Sequence, residues 1–68
     1  MEDDIIEFLD SEPQLELPLR TLYVKVMDKH ESYIQFTEFL TAVGNLKRDG
    51  NVIEYDKLPE RVPTVALV

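Results

Sequence analysis

The chain has no cysteine and no tryptophan, a single histidine and only two glycines in 68 residues. Without cysteine there is no disulfide framework and no thiolate metal site, so the usual staples of a short chain are missing and packing must hold it together. A reducing compartment suits that composition without being required by it. No apolar run approaches the roughly 18 residues of a membrane span. The acidic start lacks the basic residues and apolar stretch of a signal peptide, so the expected location is cytoplasmic. Gly44 and Gly50 form no phosphate loop, and Ser11 and Ser32 have no Gly-x-Ser-x-Gly setting. His30, with Asp28 and Glu31 beside it, has nothing to complete a catalytic or metal site. Near a helix C-terminus it reads as a partner for the helix dipole. These absences predict no enzymatic activity, no cofactor, no metal and no small-molecule substrate.

What the chain does have is charge of one sign in one place. Residues 1–18 hold seven acids (Glu2, Asp3, Asp4, Glu7, Asp10, Glu12 and Glu16) and no base, while the remaining fifty hold seven of each, so the whole net charge of −7 belongs to the first quarter. Such a segment repels a polyanion and attracts a basic protein surface. Hydrophobic content of 44% with 31% charged residues is that of a globular protein. The length predicts one domain, residues 1–68, with a core near the lower limit for folding alone, as a monomer or a homodimer.

Hydrophobic spacing predicts three helices. Ile5, Phe8 and Leu9 fall at i, i+3 and i+4 over residues 3–10, with early acids suited to the N-terminal dipole. Gln14 to Leu17 alternates as a short strand or an extended link would, and Pro18 fits the first turn of a second helix. From Leu19 the apolar residues Leu22, Tyr23, Val26 and Met27 form a stripe wide enough to face a core. Phe36, Phe39, Leu40 and Val43 repeat the spacing in a third helix that starts between residues 33 and 37, capped either by Ser32 with Gln35 or by Thr37. Lys47, Arg48 and Gly50 supply its stop. Val52–Tyr55 and Thr64–Val68 are β-prone and flank a polar, proline-punctuated stretch, which predicts a hairpin with a long tip over residues 56–63. The fold class is mainly α with a C-terminal β-hairpin, in the order α-α-α-β-β. Its expected core packs Phe39, Leu40 and Val43 against Leu22, Tyr23 and Val26, with Ile53, Tyr55, Val65 and Leu67 from the hairpin and Leu9 from the first helix.

That order, with a helix ending in Leu46-Lys47-Arg48-Asp49-Gly50-Asn51-Val52-Ile53 and running directly into a hairpin, resembles the winged-helix (winged helix-turn-helix) superfamily over nearly the whole chain. The resemblance is one of architecture. It implies that residues 18–30 and about 35–49 form the helix-turn-helix, that the third helix is the recognition helix, and that residues 56–63 are the wing. Taken with the charge asymmetry, the resemblance suggests two modes of action. In the first, the chain is a non-enzymatic adaptor or regulator that contacts a protein, on transcription or replication machinery or as a phage-type inhibitor, through Glu2, Asp3, Asp4, Ile6 and Glu7. In the second, it is a DNA-binding transcriptional regulator, with Gln35, Asn45 and Arg48 as base readers, Thr41 exposed beside them on the candidate DNA-binding face, and Lys47, Lys57 and Arg61 reaching phosphates.

Residues 33–39 also resemble the second half of an EF-hand loop, with Glu38 in the place of the bidentate glutamate. Counting back puts Met27, Lys29 and Glu31 at loop positions 1, 3 and 5, where Met and Lys offer no hard anionic oxygen to Ca²⁺. A degenerate, metal-free EF-hand-like module is the second alternative.

Overall fold

The computed structural model describes residues 1–68, which run in the order α1 (Glu2–Asp10), β1 (Glu16–Pro18), α2 (Leu19–His30), α3 (Phe36–Arg48), β2 (Val52–Lys57) and β3 (Val62–Leu67). The three expected helices and the hairpin are present, and the stretch left open as strand or link supplies a third strand. The sheet is antiparallel in the order β1-β3-β2, with Leu17 opposite Val65 and Glu54 opposite the same residue from the other side. Pro18 stands one residue earlier than expected, as the N-cap of α2 with ψ at 142°. A proline lacks the N–H that a strand interior needs and has the fixed φ that a helix entry uses, so it suits this junction.

The helices face inward as their spacing dictates. Ile5 and Leu9 of α1 and Leu22 and Val26 of α2 are fully buried, and Ile6, Phe8, Tyr23 and Met27 pack half-buried around them. α2 stops without a glycine, because Glu31 takes a left-handed conformation (φ 52°) and the N–H groups of Glu31 and Ser32 close onto the carbonyls of Asp28 and Met27. The connection to α3 is pinned by buried Ile34, whose carbonyl accepts the Tyr23 hydroxyl, and by the Tyr23 ring set edge-on to Phe36 at 5.0 Å. α3 then begins with Gln35 as N-cap, and neither Ser32 nor Thr37 plays that part. It ends in a paired turn: Gly50 (φ 79°) donates to Lys47 O and Asn51 to Leu46 O, the double bond pattern that a left-handed glycine permits.

Two core expectations are overturned. Leu40 is 36% exposed, because the buried arc of α3 is Phe39, Ala42, Val43 and Leu46. Leu40 lies about 100° round the helix from Phe39, at the edge of that arc. In the hairpin, Val52 is buried at 2% and Ile53 is 52% exposed, with Tyr55 half-buried on the same outer side. The register sets Val52 opposite Leu67 and Ile53 opposite Ala66, so Val65 and Leu67 share the inner face with Val52, and a one-residue change of parity sends Ile53 and Tyr55 outward. The strands also run further than expected, to Lys57 and from Val62, leaving residues 58–61 as the tip, with a cis Leu58–Pro59 bond. Pro63 sits in the central strand at no loss. Leu67 N–H points to Leu15 O and Val68 N–H to Asn51 O, so by alternation residue 63 faces the β1 side, where that strand has already become α2.

Phe39, at 0% exposure, is the largest fully buried side chain. Phe39→Ala is expected to cost about 3–5 kcal/mol, whereas Thr41→Ala and Ile53→Thr stay within about 0.5 kcal/mol. Urea denaturation of the three variants checks that order. A loss at Ile53 as large as that at Phe39 would overturn the register.

Candidate interaction surfaces

The acidic first helix is largely tied to the rest of the chain. Asp4 lies 2.8 Å from Lys29 Nζ and 2.6 Å from His30 Nε2, both in the last turn of α2, and Glu7 reaches the same lysine at 3.3 Å. Glu2 accepts from Asn45 Nδ2 at 3.3 Å. The Asp4 side chain is only 15% exposed, and hydrogen bonds from Lys29 and His30 hold its carboxyl at about 2, below its ordinary 3.8. The same bond to Asp4 raises Lys29. Of the residues expected to meet a protein partner, Asp3 is exposed and carries no ion pair, Ile6 is half-buried against the core, and Glu2, Asp4 and Glu7 have partners within the chain.

Three of the four bases expected to meet DNA are similarly engaged. Lys47 pairs with Glu54 at 3.3 Å, Arg48 with Asp49 at 3.6 Å and Lys57 with Glu16 at 2.6 Å, while half-buried Asn45 is held by Glu2. Gln35 and Thr41 are exposed on α3, with the Thr41 hydroxyl donating to Thr37 O at 3.0 Å, and Arg61 is exposed at the hairpin tip without an ion pair. Lys57 and Arg61 are thus on the hairpin, apart from the α3 set. Across the chain, five of fourteen acids and four of seven Lys and Arg residues are in ion pairs, which leaves nine acids against three bases (Arg20, Lys25 and Arg61).

The EF-hand resemblance finds no counterpart in the backbone. Residues 27–38, which would form its loop, are divided among the last turn of α2, a five-residue connection and the first turn of α3. No three His, Asp or Glu side chains converge as a metal site, and no helix is long and apolar enough to cross a membrane.

The outer face of the sheet carries a constellation that spacing alone did not disclose. Tyr55 of β2 reaches across β3 to Glu16 of β1, its hydroxyl donating to Oε1 at 2.6 Å, while Lys57 donates to Oε2 at 2.6 Å and to Gln14 at 3.4 Å. These long side chains roof the small residues of the central strand, which is why Thr64 (1% exposed) and Ala66 (9%) are buried on a face where neither joins the main core cluster. Lys57 and Tyr55 together lower the Glu16 carboxyl, and both donors are raised in turn. Beside this roof a groove of about 420 Å³ runs between residues 12–18 and the hairpin, lined by Glu12, Gln14, Leu58, Glu60 and Val62 among others. The signal that could have found it is the opposition of acids before Pro18 to Lys57 in the hairpin, legible only once β1 is placed beside β3.

Comparison of the chain with protein-family models, with curated proteins and with solved structures finds no match.

The Asp4 contacts generate a pH prediction. A carboxyl depressed in the folded state stabilises above its unfolded value and loses that contribution as pH falls through the folded value. Wild type should exceed Asp4→Asn in stability at neutral pH, and the gap should narrow as pH falls from about 4 toward 2. Denaturation midpoints of both proteins across that range are the measurement; a gap independent of pH would contradict the assignment.

Proposed function

We propose that the chain is a non-enzymatic, winged-helix-like adaptor or regulator that acts by binding a basic surface on another protein, of the kind found in transcription or replication machinery. The single observation that carries this reading is the distribution of unpaired charge. Of the four cations that a DNA-reading third helix and wing would present, Lys47, Arg48 and Lys57 are matched by Glu54, Asp49 and Glu16, and only Arg61 is left to offer a phosphate backbone. Nine acids without ion pairs remain, and opposite charge steers protein encounter and sets its salt dependence. The helical order, with β2 and β3 as the wing, supports the architectural part of the proposal.

The test neutralises only acids whose side chains carry no ion pair or hydrogen bond within the fold. Asp3→Asn, Asp10→Asn, Glu12→Gln and Glu60→Gln leave every ion pair in place. Wild type is expected to retain a specific protein from cell extract at low ionic strength and to release it as salt rises, because screening shortens the reach of exposed charges to about 10 Å at 0.1 M. The neutralised protein should retain far less, and duplex DNA should not be retarded by either in a gel shift. Retardation of DNA that grows on neutralisation and is lost with Arg61→Ala would overturn the proposal in favour of a DNA-binding regulator.

A further inference from the structure

The outer face of the sheet has no helix on it. The buried residues of α1, α2 and α3 join Leu17, Val52 and Val65 in the inner core, whereas Ala66 is buried outside that cluster. On the uncovered side Ile53 is 52% exposed and Val62 37%, and Leu58 at the tip is 72% exposed. Scattered exposed aliphatics are ordinary, but Leu58 and Val62 line the groove of about 420 Å³, and Ile53 lies on the same outer sheet face as Val62. The groove is open to solvent along its length, and Leu58 and Val62 are its exposed aliphatic lining. Glu12, from the segment before β1, and Glu60, from the hairpin tip, both line the groove with no hydrogen bond or ion pair from their carboxylates, and the one lysine in the lining, Lys57, is already held by Glu16 and Gln14.

We propose that this groove and the adjoining outer sheet face are the docking site for the basic partner, and that the occupant is an extended segment carrying an arginine or lysine beside an aliphatic side chain. This rests on the reading of the chain as a binder of basic proteins and places the contact away from both the acidic helix and α3. The aliphatic side chain covers Val62 and Leu58, while the cation lies between Glu12 and Glu60. Arginine suits the place better than lysine, because its planar fork can serve two carboxylates at once. The carboxylates of the lining exclude an anionic occupant. A second copy is a poor occupant, since each chain carries −7 and this face adds like charge to like.

A random linear peptide library displayed against the immobilised full-length protein tests both layers. The expected enrichment is of peptides with Arg or Lys next to Leu, Ile or Val. Their affinity should fall about tenfold or more for Glu12→Lys with Glu60→Lys and stay unchanged for Asp3→Lys on α1. Neither altered side chain of the double variant makes a hydrogen bond or ion pair within the chain. As a second measurement, amide shifts in wild type with one selected peptide should map to residues 12–18 and 57–64. Basic peptides that bind the double variant as well as wild type, with shifts on α1 or α3, would sink the placement and leave the functional proposal standing. Selection of peptides without basic residues would overturn both.

Discussion

β3 is the one strand that touches both others, and the register of Val65 between Leu17 and Glu54 therefore ties residues 16–18 to the far end of the chain. α2 and α3 lie in the interval that this closure spans, so their packing and the pairing of β1 form together. Such long-range pairing has to offset the loss of chain freedom before it gains anything. The apolar groups that reward it are few and central: Ile5, Leu9, Leu22, Val26, Phe39 and Val65 are all at 0% exposure. In a chain of 68 residues a core of this kind has little redundancy.

The same closure decides what the acidic first quarter does. Read along the chain, it is an unbroken anionic stretch facing a neutral remainder. Folded, it becomes the counterion of that remainder, with Asp4 and Glu7 on α2 through Lys29 and Glu16 on the hairpin through Lys57 and Tyr55. Exposed pairs of this sort contribute little each, and their effect is on orientation and on which charges stay available to others. The free carboxylates are consequently redistributed, with Glu12 and Glu60 brought to one groove from positions far apart in sequence.

How much was legible follows from the range of the interactions involved. The helices were readable because a 3.6-residue period is written locally, and so was the stop at Gly50, where a left-handed residue was needed and glycine was present. The end of α2 was readable only from its polarity, since Glu31 adopts the left-handed conformation without being the residue type that signals it. β2 misled because Ile53 and Tyr55 alternate with Glu54 and Asp56, which in isolation puts the apolar pair inside. β2 is an edge strand in which only Val52 is buried, and on the same inner side Glu54 turns toward Lys47 of α3. The Glu16, Tyr55 and Lys57 constellation depended on a three-residue strand whose existence is fixed by its distant partner and not by its own composition.

Pro18 at the sheet's margin has one more effect. β1 offers the solvent only three residues, and its last, Pro18, has no N–H to donate. On the other margin, alternation leaves Val52, Glu54 and Asp56 as the residues whose backbone groups point away from β3, so an approaching strand meets two carboxylates. Neither border can template the continuous ladder on which fibrils grow. The uncovered sheet face is therefore bordered by edges that discourage pairing with other copies of the chain.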